Sequence, residues 1–368
     1  MKSEIIFFKK ILLNYPQLLN IPVGVWRKNI TAWLEYQFKD GESKPPKAVI
    51  MKVNNICNMN CKMCNYSNNG YFTDGRVLSE IIFQKVIDDV YKDIPVIAIT
   101  GGEPLINNSI IDYLNYIKEH HLICSMVTNG WFLQEYAQDI VESGLDILAV
   151  SIDGPGEVHD QIRRKEGAYK RAMAGIKEIA KYDKRPLLFV NSIIQADNYT
   201  FLNQLVGELE FTGIDAMNIN LMWIRSPEGA EQHNLLFPGF QVGEGWIDES
   251  LLEMDFTKLE QEINQINKRQ LLINFTPPID NHRIRDWYTN PMSFLKDRRL
   301  LCPWMWAIIF QDGTMRMCDD IVLGDLGKDD FWDIWNEERI VNFRRTLKEK
   351  KCFPICSGCC NLYRNWKI

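Results

Sequence analysis

The chain has 368 residues, 46% of them hydrophobic and 24% charged, with a formal net charge of −6. That length calls for two or three folding units, unless a barrel takes up about 200 residues by itself. The acidic balance leaves no basic field for nucleic acid, so a nucleic-acid partner is not expected. Ten cysteines with no secretory signal before them point to metal ligation rather than disulfides. The run Ile5 to Phe8 is cut short by Lys9 and Lys10, and no segment reaches the roughly 18 apolar residues of a spanning helix. A cytoplasmic protein is expected.

Residues 1–46 form an aromatic-rich leader, with Phe7, Phe8, Ile11, Leu12 and Tyr15 near helical spacing and Trp26, Trp33, Tyr36 and Phe38 beyond. A helix packed on the next domain is preferred here over peripheral membrane contact, which Lys9, Lys10, Arg27 and Lys28 keep open. Pro45 and Pro46 mark a boundary. From Ala48 onward, short apolar runs alternate with helical patterns at a period of about 25 residues, the rhythm of βα units around a parallel sheet. Strands are expected over 48–53, 96–100, 123–128, 146–151, 187–194 and 216–222, with helices over 79–91, 109–120, 133–143, 167–181 and 198–212. Six repeats are fewer than the eight of a closed barrel. The fold class is therefore α/β, a partial (β/α)6 TIM-like barrel over 47–222 with its active face at the carboxyl ends of the strands.

Polar and glycine residues gather at those ends. After the first strand comes Cys57-Asn58-Met59-Asn60-Cys61-Lys62-Met63-Cys64, a C-x3-C-x2-C array. Thiolates are soft ligands that suit zinc, copper(I) or iron–sulfur clusters, and three of them leave one corner of a cubane open for chemistry. After the second strand stands Gly101-Gly102-Glu103-Pro104, after the third Thr128-Asn129-Gly130, and after the fourth Ser151-Ile152-Asp153-Gly154. Turns account for any one Gly-Gly or Asn-Gly pair; four in register with four strand ends ask for a ligand. Asn191 and Ser192 lie on strand five, Asn218 and Asn220 on strand six.

Residues 223–300 break the rhythm and read as a connector or cap, with a helix near 256–268. Its His233, His282, Arg283 and Arg285 are candidates to face a substrate, with solvated surface the preferred reading, and no general acid or base stands out among His233, His282, Asp280 and Tyr288. The last unit, 301–368, holds Cys302, Gly313 and Cys318 in a C-x10-G-x4-C pattern, then Cys352, Cys356, Cys359 and Cys360. Gln311-Asp312-Gly313 between apolar runs signals a hairpin that brings Cys302 and Cys318 together. Cys356 and Cys359 supply a C-x2-C partner. Cys352 can replace Cys318 or Cys302, Cys360 stays open as a further substitute ligand, and Cys124 reads as a small buried hydrophobe.

Together these residues resemble the radical S-adenosylmethionine (SAM) enzymes that carry a SPASM or twitch C-terminal extension, over residues 48 to 368. The resemblance implies a 4Fe-4S cluster on Cys57, Cys61 and Cys64 whose open iron chelates SAM. Reductive cleavage of SAM then gives a 5′-deoxyadenosyl radical that abstracts a substrate hydrogen. It implies that Gly101, Gly102 and Glu103 meet the SAM amino group, with the glycines admitting close approach and Glu103 accepting a charged hydrogen bond. Ser151 and Asp153 fall near the ribose and methionyl moiety, Asn191 and Ser192 on the same ligand, and Arg163 on the SAM carboxylate. Met63 stands where the family places an aromatic residue, and packs against adenine as a thioether. One auxiliary 4Fe-4S cluster on Cys302, Cys318, Cys356 and Cys359 is implied, in the shorter twitch manner, as is an electron donor such as flavodoxin or ferredoxin.

The activity expected is oxidation, cross-linking or epimerisation of a peptide or small metabolite. The leader is short for a peptide-binding domain of the kind that peptide-modifying relatives carry, which gives weight to a carbohydrate or lipid substrate. The alternative from another class is a non-catalytic, cysteine-rich metal-binding or interaction protein.

Overall fold

The computed structural model describes residues 31–68, 74–245, 248–277, 280–295 and 300–359. One ten-stranded sheet runs through it. β1 (Ala48–Lys52), β2 (Val96–Thr100), β3 (Ile123–Thr128), β4 (Ile147–Ser151), β5 (Leu187–Ile194) and β6 (Ala216–Leu221) match the six expected strands to within a residue at either end. All pair in parallel with their neighbours. Their near-continuous apolar composition suits a sheet covered on both faces.

The helices lie where the 3.6-residue pattern places them. Glu80–Val90 turns Phe83, Val86, Ile87 and Val90 to the sheet, and Leu202–Leu209 turns Leu202, Leu205, Val206 and Leu209 the same way. These faces build the main core with the outward residues of the strands. Ala149, Leu187, Phe189 and Ala216, on the other face, make a small separate plug. Further along the same strands and on the same face come Ser151, Asn191 and Asn218, so the interior changes from apolar to polar toward the carboxyl ends.

Two elements extend this sheet beyond the six repeats. β7 (Leu272–Thr276), inside the stretch read as a connector, pairs in parallel with β6. The expected hairpin is present as β8 (Trp306–Ile309) and β9 (Thr314–Met317), and β8 docks in parallel along β1 before β9 and β10 (Ile321–Asp325) continue antiparallel. The unit that follows the barrel in sequence therefore shares its sheet, and its hairpin lies beside the strand that leads into the first cysteine array.

Leader residues 1–30 lie outside the described part. Residues 31–38 are helical and pack on the C-terminal unit: Tyr36 meets Trp304 edge-on at 5.3 Å, and Lys348 Nζ donates to the carbonyls of Gln37 and Lys39, each at 3.1 Å. Among the described residues no helix is long and apolar enough to cross a membrane.

Candidate active site

A cavity of about 390 Å³ opens at the carboxyl ends of the strands. Cys57, Cys61 and Cys64 line it, as do Met63, Gly101, Gly102, Ser151 and Arg163. Residues from three strand ends and one helix thus meet in one space, as the active face of a barrel requires.

The cysteine loop is held at its root by the second strand end. Gly102 N donates to Asn54 O at 2.9 Å and Glu103 N to Ile56 O at 2.7 Å. A Cβ on Gly102 would fall 2.1 Å from Ile56 O, and one on Gly101 would fall 2.6 Å from Asn54 O. Gly101 also sits at φ +149°, so both positions require glycine because the backbone leading into the loop presses on them. The close approach expected toward SAM is here made first by the protein's own chain.

Glu103 is engaged within the protein. Its side chain is buried, with the residue 1% exposed, and does not line the cavity. Oε1 accepts from Leu105 N at 3.1 Å and from Thr128 Oγ1 at 2.6 Å, and Oε2 from Asn129 N at 2.6 Å. Burial raises its pKa against those bonds. The carboxylate is spent on fixing the third strand end, and through it Asn129, whose Nδ2 donates to Asn58 Oδ1 at 2.8 Å and approaches Cys57 Sγ at 3.9 Å. Thr128-Asn129-Gly130, which the sequence marks as a strand-end cluster without a role, is the link between Glu103 and the cysteine loop.

Asp153 likewise stays out of the cavity. It is fully buried, accepts from Ile193 N at 2.9 Å, and pairs with Arg163 Nη2 at 2.6 Å. Arg163 closes the helix Glu157–Arg163, and its Nη1 lies 3.7 Å from Cys61 Sγ. Asp153 thus orients the guanidinium, and the guanidinium faces both the cavity and a thiol. On β5, Asn191 and Ser192 cannot share a face, since side chains alternate along a strand. Asn191 points inward but belongs to an amide ladder, accepting from Asn218 Nδ2 at 2.9 Å, while Asn218 accepts from Asn274 Nδ2 at 3.3 Å. Ser192 is fully buried on the helix side, with an Oγ that lacks a hydrogen-bond partner. Neither lines the cavity. Ser192→Ala should leave SAM affinity unchanged and shift the urea midpoint by less than about 1 kcal/mol in stability, because it removes a group that makes no bond; a clear loss of SAM binding by calorimetry would return Ser192 to the site.

Outside the cysteine array, the cavity takes in residues that the sequence did not single out: Tyr66, Met222, Trp223, Arg225, Glu244 and Asp319. Asp319 follows Cys318 directly. Lys52, the last residue of β1, bonds Asp319 Oδ1 at 2.9 Å and also reaches the Tyr66 hydroxyl, which donates to Asp319 Oδ2. These three tie the first strand, the first cysteine array and the C-terminal unit together. No pattern in the sequence links them, because they lie far apart in the chain.

The connector polar residues divide. His233 is fully buried rather than solvated, with Nε2 at 2.7 Å from Phe240 O, and burial lowers its pKa. His282 and Arg285 are exposed, as expected. Tyr288 is buried, donating to Ile194 O at 3.1 Å and accepting from Met222 N at 3.2 Å, so its hydroxyl is structural.

At the second cysteine set, Cys302 opens a short helix, and Cys318 and Asp319 hold consecutive positive φ of 54° and 65° just past β9. Cys356 is buried in the turn Pro354–Cys356. Burial raises its pKa first, and then the nearby thiols of Cys318, Cys352 and Cys302. Cys359 follows in the next turn, its N donating to Cys356 O at 3.2 Å. Cys360 lies outside the described residues, and Cys124 is fully buried on β3 as expected.

Both thiol sets fit iron–sulfur ligation by their chemistry. Every described cysteine is free of disulfides. Burial pushes the thiols of Cys57 and Cys318 up to about 12.

Residues 51–195 match the model of the radical SAM superfamily, and residues 301–360 match that of the iron–sulfur cluster-binding SPASM domain. The chain thus carries a radical SAM superfamily domain in its partial barrel and a C-terminal SPASM domain; the first implies a 4Fe-4S cluster and SAM, the second auxiliary iron–sulfur ligation. A tungsten-containing aldehyde ferredoxin oxidoreductase cofactor-modifying protein from Pyrococcus furiosus is 21% identical over 85% of this chain and 87% of its own. An AdoMet-dependent heme synthase from Nitratidesulfovibrio vulgaris is 28% identical, over 48% of each chain, so only about half of that relative is spanned. Among solved structures, SuiB of Streptococcus suis bound to the precursor peptide SuiA superposes with a TM-score of 0.61 at 14% identity, covering 90% of this chain and 74% of SuiB. The anSMEcpe structure with bound AdoMet gives 0.59 at 15% identity, covering 88% and 92%. Those structural likenesses concern the fold.

Proposed function

We propose that this protein uses SAM and a 4Fe-4S cluster on Cys57, Cys61 and Cys64 to remove a hydrogen atom from a peptide or small metabolite, as the first step of an oxidation, cross-link or epimerisation. The observation that carries this reading is the single cavity in which the three cysteines meet Gly101, Gly102, Ser151 and Arg163. When bound, the cluster and SAM supply an electron and a 5′-deoxyadenosyl radical. The chain's own residues hold and aim. Asn129 and Arg163 stand beside the thiols of Cys57 and Cys61, where an N–H donor or a cation stabilises a thiolate. Arg163, kept in place by buried Asp153, offers its charge to the SAM carboxylate, and Met63 and Met59 line the cavity with adaptable thioethers for the adenosyl group.

At the second site, Cys302, Cys318 and Cys356 hold one auxiliary cluster, with Cys359 or Cys352 as the fourth ligand. Its thiol loop adjoins the cavity through Asp319, which suits an electron acceptor for a substrate radical and favours net oxidation. A flavodoxin or ferredoxin would deliver the reducing electron. Anaerobic reconstitution with iron and sulfide should give two 4Fe-4S clusters per chain, and dithionite plus SAM should yield 5′-deoxyadenosine. Stoichiometric zinc without iron, and no SAM cleavage, would instead establish a cysteine-rich binding protein. The product formed with a peptide, a sugar or a lipid of the neighbouring genes' pathway separates the substrate classes.

A further inference from the structure

Among the described residues, each of the three thiols of the first array has an N–H donor beside it, and these donors differ in charge. Ser67 N lies 3.4 Å from Cys64 Sγ, Asn129 Nδ2 3.9 Å from Cys57 Sγ, and Arg163 Nη1 3.7 Å from Cys61 Sγ. The first is a backbone amide and the second a neutral side chain. The third brings a positive charge, and it does so away from water: Arg163 is 8% exposed, and Asp153, which pairs with its Nη2 at 2.6 Å, is fully buried.

The protein itself fixes the guanidinium at this place. Asp153 Oδ1 accepts from Ile193 N at 2.9 Å, its backbone N donates to His159 Nδ1 at 3.0 Å, and its carbonyl accepts from Asn198 Nδ2 at 2.5 Å, so the carboxylate is held from three sides. The cysteine loop is tied to the same helix end, with Lys62 N donating to Ile162 O at 2.9 Å; these two residues adjoin Cys61 and Arg163 in sequence. A buried ion pair is a weak source of stability, because desolvation offsets its attraction. Set against a cluster ligand it has another effect, since hydrogen bonds to the sulfurs, local charge and exclusion of water govern the potential of an iron–sulfur cluster. Reduction adds one negative charge to the cluster. A cation at Cys61 therefore favours the reduced state and a carboxylate opposes it, the nearer charge counting more.

We infer that the Arg163–Asp153 pair sets the reduction potential of the cluster on Cys57, Cys61 and Cys64: Arg163 raises it, and Asp153 holds the guanidinium in place while offsetting part of its charge. The inference rests on the reading of that array as the catalytic cluster site. It makes Asp153, which does not line the cavity, a positioning residue that acts through Arg163. The same guanidinium serves the SAM carboxylate, so the test leaves SAM out.

The full-length, reconstituted protein is titrated with reductant and followed by electron paramagnetic resonance. The signal of the first cluster is the one missing from the variant in which Cys57, Cys61 and Cys64 are replaced by alanine. Arg163→Gln, which keeps N–H donors and removes the charge, should lower the ratio of reduced to oxidised cluster at a fixed potential about tenfold, a shift of about 59 mV for one electron. Arg163→Lys, which keeps the charge, should fall between. Asp153→Asn, which removes the opposing charge and keeps the shape, should move the potential the other way. Loosened packing would shift both sites in one direction, whereas charge shifts them oppositely. If Asp153→Asn takes up no cluster at the first array, the order wild type, Arg163→Lys, Arg163→Gln decides. The inference is overturned if Arg163→Gln leaves the potential unchanged, if the lysine and glutamine variants have equal potentials, or if Arg163→Gln and Asp153→Asn shift it in the same direction. A wild-type protein whose first array takes up no iron fails the radical SAM reading itself, a separate result read from the iron content before any titration.

Discussion

Replacing Cys57, Cys61 and Cys64 together by alanine should abolish 5′-deoxyadenosine formation and remove about half of the bound iron and sulfide. The three thiols sit on one loop, and that loop is fixed by Gly102 and Glu103 on one side and by Ile162 on the other, where Lys62 N donates to Ile162 O at 2.9 Å. No substitute thiol is at hand among the described residues. Cys124 is fully buried within the sheet, and Cys302, Cys318 and Cys352 lie near Cys356 at the second site, with Cys359 three residues beyond it. The auxiliary cluster should therefore survive in the triple variant, visible by its absorbance and by the remaining iron. Full SAM cleavage by that variant would refute the assignment of the catalytic cluster, and loss of all the iron would show that the two sites fold as one.

Much of this arrangement can be read from the chain because the features that carry it are local. Strands such as Val96–Thr100 and Leu187–Ile194 are short β-branched runs between helical patterns, and a strand buried on both faces leaves that mark in any context. The cysteine arrays are equally local, since ligand spacing is a property of a loop. β7 is harder to see. Leu272-Ile273-Asn274-Phe275-Thr276 is a short run with two polar residues, and all five positions are only half-buried, so it lacks the apolar signature of its neighbours. The docking of β8 along β1 joins residues more than 250 positions apart, which no pattern within a window reports.

Side-chain roles were legible only where a residue type has one use. A cysteine in a C-x3-C-x2-C array has few alternatives, whereas Glu103, Asp153 and Ser192 are set near SAM by the family resemblance alone, and none of the three lines the cavity. For Ser192 the reason is strand alternation. For Glu103 it is that a buried carboxylate must be satisfied, and Thr128, Asn129 and Leu105 satisfy it. Arg225 and Asp319 carry no mark in the sequence for the converse reason: an arginine in an irregular stretch and an aspartate after a cysteine are common, and only the fold brings both to the cavity wall.

Lys52→Met should be among the most damaging single substitutions for stability. Lys52 is 8% exposed, with its ammonium 4.0 Å from the centre of the Phe310 ring and 4.4 Å from that of Tyr66. Burial lowers its pKa despite Asp319. Asp319 is also penalised by burial, yet Lys52 and the Tyr66 hydroxyl together hold its carboxyl below the usual carboxylate range. The two directions are compatible because the carboxylate collects two partners, whereas the ammonium gives up more water than one carboxylate replaces; the ionised pair is the state the geometry supports. Removing the lysine leaves Asp319 charged next to Cys318 with the Tyr66 hydroxyl as its remaining close partner. Breaking a buried pair from one side costs about 3–5 kcal/mol, and the lower end applies here because the Asp319 side chain keeps 26% of its exposure. The double variant Lys52→Met, Asp319→Asn removes the stranded charge and should recover most of the loss, as a urea midpoint at unchanged slope would show. Equal destabilisation in the single and double variants would mean that Lys52 acts through packing on Phe310 and Tyr66 rather than through its charge. Because Tyr66 stands two residues after Cys64 and Asp319 one after Cys318, the single variant should also disturb the electron paramagnetic resonance spectra of both reduced clusters, which a loss confined to remote packing would leave unchanged.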